Sequence, residues 1–152
     1  MPYRLVMDTV FDKSALHWLS SQKVAYLATT DVHAQPHLVP VVFVLMDEDI
    51  FICIDEKPKT SRSLKRLVNI KANPKISLLV DNYDDDWREL KWVRVDGTAI
   101  VLESTDESRV VFESVISRLR DKYPQYQTMD LSRGPLIRIT INAIASWQAY
   151  RK

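Results

Sequence analysis

Three β-rich segments follow one another between residues 24 and 55, with only short polar turns between them. The first covers 24–30, the second is a long, β-branched run over 36–46, and the third covers 50–55. This spacing of strands and turns indicates an antiparallel meander rather than alternating βαβ units. Pro40 lies inside the second strand and cannot donate a ladder hydrogen bond, so it indicates an edge or a bulge in preference to a backbone that faces something other than a strand.

The remaining hydrophobic patterns add three helices and further strands. Asp12 is a plausible cap for the first helix, and Asn73-Pro74 and Pro124 end the other two. The sum is roughly six strands and three helices, which predicts a mainly β (α+β) fold: a small antiparallel β-barrel with peripheral helices, as a single domain over 1–152. The predicted helices cover 9–22, 61–72 and about 106–122, and the later strands cover 75–81, 90–102 and 136–142.

Composition narrows the class of protein. The chain has 152 residues, of which 46% are hydrophobic and 27% charged, as in an ordinary globular protein long enough to bury a core. The net charge of +1 gives no global field that would favour nucleic acid. A single cysteine, Cys53, excludes an internal disulfide and suits a reducing compartment. No leader pattern and no run of 18 apolar residues is present, so we expect a cytoplasmic protein that does not enter the membrane.

The chain has only two glycines, Gly97 and Gly134. The Walker A loop and the Rossmann fingerprint both need glycines for a close approach of backbone to phosphate, so both are excluded. The same scarcity excludes the Gly-x-Ser-x-Gly nucleophile turn. Any phosphate must therefore be held by side chains and a helix end, and the sequence identifies no catalytic residue.

A basic turn joins the third strand to the second helix. It combines Lys57, Lys59 and Arg62 with the hydroxyls of Thr60 and Ser61. Cations, hydroxyls and free backbone N–H groups at a helix N-terminus together form a site for phosphate or another anion. The alternative is a solvated helix start whose lysines only keep the protein soluble, and the residues alone leave both interpretations open.

Metal binding has little support. The acidic loop over 81–89 lacks the alternating ligand spacing and central glycine of a calcium loop, which favours a solvated loop paired with nearby arginines. His17, His33 and His37 are too scattered to show ligand spacing. We therefore predict no metal site.

An enzyme without its own acid–base or nucleophilic groups has to borrow reactivity from a cofactor. A flat aromatic cofactor with a phosphate fits the available parts. The basic turn would hold the phosphate, the strand interrupted by Pro40 would lie against the ring, and Trp92 or Trp87 would form a wall.

The sequence resembles the pyridoxamine 5′-phosphate oxidase-like split β-barrel proteins, most closely the flavin/deazaflavin branch described as coenzyme F420-dependent. The acidic and aromatic loop 81–87 is typical of one subgroup of that branch. The match is clearest over about residues 20–100. The motifs that carry it are Ala25-Tyr-Leu-Ala-Thr-Thr, Pro36-His-Leu-Val-Pro-Val, Lys57-Pro-Lys-Thr, Asn69-Ile-x-x-Asn73-Pro-Lys-Ile-Ser-Leu-Leu-Val and Trp92-Val-Arg-Val-Asp-Gly-Thr-Ala.

The resemblance implies a six-stranded antiparallel split β-barrel of the FMN-binding type. It also implies a homodimer whose two cofactor sites lie at the subunit interface. The phosphate-binding residues of the family correspond to Lys57, Lys59 and Thr60, with Arg62 or Arg66 assisting from the helix.

The partner subunit would contribute the strand that contains Trp92 and Arg94. The strand that contacts the cofactor ring in the family corresponds to His37, Val39, Pro40 and Val41.

The function expected from the resemblance is an oxidoreductase that uses bound F420 or FMN for hydride transfer to a small organic substrate. A flavin-binding or flavin-storage protein without turnover is the alternative. A nucleic-acid-binding barrel is a third reading, which the near-neutral charge opposes. The residues that would hold pyridoxal phosphate are not found, so vitamin B6 oxidation is not expected. The sequence names neither the substrate nor the choice between FMN and F420.

Overall fold

The computed structural model describes residues 6–8, 12–55 and 64–149. Most of this part of the chain lies in strands and in three α-helices. The strands are β1 (Val6–Asp8), β2 (Ala25–Thr30), β3 (Pro36–Val41), β4 (Val44–Met46), β5 (Asp49–Cys53), β6 (Lys75–Asn82), β7 (Lys91–Leu102) and β8 (Leu136–Gln148). The helices are α1 (Lys13–Ser21), α2 (Lys65–Ala72) and α3 (Arg109–Lys122), and short 3-10 helices cover Trp87–Glu89 and Pro124–Thr128.

The strands form one antiparallel sheet, which confirms the prediction of a mainly β fold. The order along the sheet is β3-β2-β6-β7-β8-β5-β4, and β1 pairs with β8 beside β5. The described sheet therefore has eight strands rather than the six expected. No ladder joins β3 to β4 within the described ranges, so this sheet is not a closed barrel.

The run 36–46, expected as one strand, is two strands at opposite ends of the sheet order. Only Val42 and Phe43 separate β3, which pairs with β2, from β4, which pairs with β5. Consecutive Cα atoms are about 3.8 Å apart, so the two sheet edges approach within about 11 Å at this crossover. The sheet must therefore curl until its ends nearly meet.

Pro40 lies on β3, whose only ladder partner in the described chain is β2. The prediction of an edge strand at this proline is thus confirmed. The free side of β3 can accept a residue that lacks an N–H because no neighbouring strand needs that donor.

The concave side of the curled sheet holds the larger core. α1 and α2 cover it with apolar residues such as Leu16, Leu19 and Ile70. Asp12 caps α1 as predicted, because its carboxylate accepts hydrogen bonds from the backbone N–H groups of Ser14 and Ala15.

A second core lies on the convex side, where α3 covers β4, β5 and the first half of β8. Phe112, Val115 and Leu119 of α3 pack with Val44 and Phe51 of the sheet. On the β3-β2-β6 part of the convex side, apolar residues stay exposed instead. Leu38, Tyr26 and Leu79 are 67%, 40% and 37% exposed. We call this part the bare face, defined by the outward side chains of β3, β2, β6 and the 91–96 half of β7.

The end of α3 fixes the crossover between the two edges. The N–H of Phe43 donates to the Tyr123 hydroxyl at 3.1 Å, and the Lys122 ammonium donates to the Phe43 carbonyl at 3.0 Å. Backbone groups that leave a ladder need other partners when they are buried, and these side chains supply them. Within the described ranges, none of the helices is long and apolar enough to cross a membrane.

Candidate functional site

Four of the residues expected to bind phosphate lie outside the described residues. They are Lys57, Lys59, Thr60 and Arg62, and Arg66 is the member of the predicted set that the structure places.

Arg66 lies in the first turn of α2, at a helix end for which the described part of the chain supplies no side-chain cap. The N-cap residue is Leu64, and the first turn contains no acidic residue. Free N–H groups and the positive end of the helix dipole therefore coincide with two cationic side chains. Such an end is unfavourable for cations unless an anion compensates them.

The two cations of this turn differ in their partners. Lys65 forms an ion pair with Asp31 at 3.4 Å. Arg66 is half-buried, has no hydrogen-bond or ion-pair partner among the described residues, and its Nε is completely buried. Burying part of a guanidinium without a partner is costly, so Arg66 is the cation of this first turn whose charge the described residues leave unbalanced.

One turn after Arg66, a buried hydrogen bond fixes α2 to the sheet. The Asn69 side-chain amide donates to the Thr29 hydroxyl at 3.0 Å, and both side chains are buried. Residues three apart lie on one side of a helix, so this bond also sets the orientation of Arg66.

The strand expected to contact the ring places its side chains on both faces. Val39 and Val41 pack into the concave core or against it. His37 is half-buried on the same side, and its Nδ1 has no hydrogen-bond partner in the described part of the chain. Pro40 points outward and is exposed. Of the four residues, Pro40 and Val41 line a cavity together with Arg66, whereas His37 and Val39 do not.

This cavity, which we call the β3–β5 cavity, opens at the crossover and has a volume of about 250 Å³. Five aliphatic residues line it together with Cys53 and three polar or charged residues. Its lining residues are Val24, Pro40, Val41, Val42, Ile52, Cys53, Asp55, Arg66 and Tyr126.

Asp55 and Tyr126 were not anticipated as site residues. The Tyr126 hydroxyl donates to the Asp55 carboxylate at 2.7 Å. Burial, followed by the hydrogen bond to Asp55, raises the pKa of Tyr126, so this phenol keeps its proton. The two residues are 71 positions apart, and no sequence motif connects them.

Trp92 and Arg94 lie on the bare face, away from the cavity of the same chain. The ladder registers place Arg94 opposite Leu79, Leu79 opposite Tyr26, and Tyr26 opposite Pro40. Three strand spacings therefore separate Arg94 from Pro40, or roughly 14 Å. Both residues are half-buried.

The Arg94 side chain is held in place by its neighbours. Its guanidinium donates to Asp96 Oδ2 at 3.2–3.3 Å, and the Ser77 hydroxyl donates to Asp96 Oδ1 at 2.6 Å. Asp96 thus orients Arg94 on the surface of the bare face and leaves other guanidinium donors available.

The acidic loop contains an arginine pair of the kind expected for a solvated loop. Arg88 and Asp86 approach within 2.7 Å, and Tyr83 and Trp87 beside them are exposed. No group of three or more His, Cys, Asp or Glu side chains within the described ranges could hold a metal ion.

Solved structures share this fold over nearly the whole chain. A FAD-binding protein from Mesorhizobium loti superposes with a TM-score of 0.72 at 23% identity, covering 95% of this chain and 99% of that one. A conserved hypothetical protein from Mycobacterium tuberculosis gives 0.72 at 21% identity, covering 97% and 90%. The heme storage protein HutZ from Vibrio cholerae gives 0.62 at 17% identity, covering 92% and 91%. At these identities the likeness shows the fold alone.

No curated protein sequence matches the chain. A family model does match it, over residues 11–148, and that model describes pyridoxamine 5′-phosphate oxidase. Nearly all of the chain, including both edges of the split sheet and Arg66, falls within the match. The chain therefore belongs to the pyridoxamine 5′-phosphate oxidase family.

Proposed function

We propose that this chain is an oxidoreductase that binds coenzyme F420 or FMN and passes hydride to a small organic substrate. The observation that carries the proposal is Arg66, a half-buried cation at the start of α2 for which the described residues provide neither a partner nor a helix cap. A phosphate monoester or diester is an anion that such a helix end binds well. Both cofactors present a phosphate on a chain attached to a tricyclic ring.

The family and the fold support a cofactor of this type. The family model is that of an oxidase, and one protein with the same fold is described as FAD-binding. When bound, such a cofactor supplies the hydride chemistry. The chain's own residues would anchor the phosphate, orient the ring against β3 and exclude water.

A homodimer with sites at the subunit interface is part of the proposal. Trp92 and Arg94 lie across the bare face from the β3–β5 cavity, so one chain does not bring them to Arg66. The exposed apolar residues between them suit burial against a second copy. In that arrangement, Trp92 and Arg94 would complete the partner's site.

The test begins with binding. Purified protein is titrated separately with FMN, with F420 and with heme, the last because a heme storage protein shares the fold. Arg66→Ala should raise the Kd for the cofactor by about 10- to 100-fold, the scale of a lost hydrogen bond to a charged group. Lys65→Ala is the matched control. It removes the same charge from the same turn, but Lys65 already pairs with Asp31. Equal effects of the two variants would contradict a specific role for Arg66.

The second measurement separates an enzyme from a carrier. The reduced cofactor that binds is mixed with a panel of quinones, enones and nitro compounds, and its reoxidation is followed by absorbance. Turnover with one of these classes supports the oxidoreductase. Tight binding without electron transfer to any of them would favour the flavin-storage alternative.

A further inference from the structure

The β3–β5 cavity lies between two strand edges that have no ladder partner, among the residues described, on the side facing it. Pro40 and Val41 end β3, which pairs with β2 on one side, and Ile52 and Cys53 extend β5 beyond the last residue that pairs with β4. Ligands of drug size occupy clefts of roughly 300–1,000 Å³, so a cavity of about 250 Å³ suits part of a cofactor.

The cavity contains two opposite charges that do not neutralise each other. Asp55 and Arg66 both line it, yet no ion pair joins them. The Tyr126 hydroxyl donates to Oδ2 of Asp55, and no donor among the described residues bonds the other carboxylate oxygen. Burial, with a smaller contribution from Asp55, raises the pKa of the Cys53 thiol to about 11, so Cys53 is a neutral wall rather than a nucleophile.

A phosphate at Arg66 would be repelled by a carboxylate in the same cavity. Asp55 therefore does not suit the phosphate itself, and an ionised carboxylate in a ligand site only accepts hydrogen bonds. The ligand group beside the phosphate must then be rich in donors. Hydroxyl groups meet this requirement, as when an acidic residue binds ribose hydroxyls in dinucleotide-binding folds.

We propose that Asp55, oriented by Tyr126, accepts hydrogen bonds from the hydroxyls of the ribityl chain that links the cofactor's ring to its phosphate. This inference rests on the proposed function and assigns a second anchor to the same site. Arg66 binds the phosphate, Asp55 binds the hydroxyl groups, and the aliphatic side chains that line the cavity contact the carbon chain. Tyr126 acts as a positioning residue, because it holds the carboxylate and does not itself contact the cofactor.

The experiment uses three flavins that differ in one part each. Lumiflavin has the ring alone, riboflavin adds the ribityl chain, and FMN adds the phosphate. Asp55→Asn keeps the size of the side chain and an acceptor for Tyr126, but it removes the charge. This substitution should weaken the binding of riboflavin by about 10-fold and leave the binding of lumiflavin unchanged. The binding of FMN should be weakened less than that of riboflavin, because the substitution also relieves the repulsion between the carboxylate and the phosphate.

Arg66→Ala gives the complementary pattern and separates the two proposals. This variant should bind FMN more weakly and bind riboflavin with unchanged affinity. One outcome would disprove the ribityl assignment alone. In it, FMN binds and Arg66→Ala weakens FMN binding, but Asp55→Asn changes the affinities for riboflavin and lumiflavin equally or changes neither. The proposed function would then stand. If the protein binds only deazaflavins, the same series is made from F420 and its ribityl fragment without phosphate. Absence of binding to every flavin and deazaflavin would overturn both proposals.

Tyr126→Phe provides a second variant that keeps the apolar packing of the ring. This variant should bind riboflavin about 3-fold more weakly, because the Asp55 carboxylate loses the hydrogen bond that orients it. Its affinity for lumiflavin should be unchanged. A purely structural role for Tyr126 would change all three affinities together.

Discussion

The two halves of the run 36–46 form a comparison within a single stretch of chain. Alternate residues face the concave core without interruption, since Val39, Val41, Phe43 and Leu45 all pack in or against it. The burial of the residues on the opposite, convex side changes along the run. Leu38 is 67% exposed on the bare face, whereas Val44 is buried under α3.

The difference shows that the same strand pattern serves two purposes. In the β4 half, α3 buries the convex side and completes the fold from within the chain. In the β3 half, no described helix covers the convex side, and apolar residues remain available to an external surface. The cavity with Arg66 and Asp55 lies at the point where one half passes into the other.

Weakening the packing of α3 on the convex side of the sheet should have the largest effect on stability. Leu119 of α3 is fully buried against the sheet, so Leu119→Ala should lower the free energy of unfolding by about 2–5 kcal/mol through lost burial and a new cavity. Chemical denaturation monitored by circular dichroism measures this. Val110→Ala is the control, because Val110 is 74% exposed on the same helix and its truncation should change stability by about 0.5 kcal/mol or less. Similar losses for both variants would contradict the role assigned to α3.

The bare face should respond through association instead of folding. Leu79 lies at its centre, between Tyr26 and Arg94 in the ladder register. Leu79→Glu should convert the proposed dimer into monomers, because a charge buried in an apolar interface is strongly unfavourable. Light scattering coupled to size exclusion gives the mass. Val110→Glu introduces the same charge on the covered half and should remain dimeric. A monomeric wild type, or an unchanged mass for Leu79→Glu, would disprove association through this face.

The smallest expected effect concerns the crossover between the halves. Burial, together with nearby Lys23, lowers the pKa of Lys122 from its ordinary value of 10.5 to about 8. Between these values the unfolded chain carries a proton that the folded chain has lost, so raising the pH favours folding there.

The unfolding free energy of wild type relative to Lys122→Met should therefore be constant below pH 8. It should then increase as the pH rises from 8 towards 10.5. Urea denaturation of both proteins across this interval measures the change. A relative stability that decreases with pH would mean that the protonated form is the one the fold favours.

Much of the fold could be predicted from local pattern. The cap at Asp12, the edge strand at Pro40 and the antiparallel pairing all follow from the sequence. The break in the run 36–46 could not be predicted in this way. The alternation of inward and outward residues continues across Val42 and Phe43, and only the hydrogen-bonding partner changes.

The candidate site was predictable where it depends on charge and not where it depends on distant contacts. The sequence named Arg66 as one of two helical cations that could assist the basic turn, and the structure gives it no partner within residues 6–8, 12–55 and 64–149. Asp55 and Tyr126 meet across 71 residues. Their contact depends on how α3 and the 3-10 helix after it dock, which no periodicity reveals.

The prolines of β3 limit what can join its free edge. Pro36, Leu38 and Pro40 alternate with residues that face β2 through their backbone, so their nitrogens point to the open side. Two of these three nitrogens carry no hydrogen, and a strand approaching that edge would find a single donor, at Leu38. Unprotected edges are templates for aggregation. The chain can thus expose an apolar face to a second copy while its edge resists extension into a continuous intermolecular sheet.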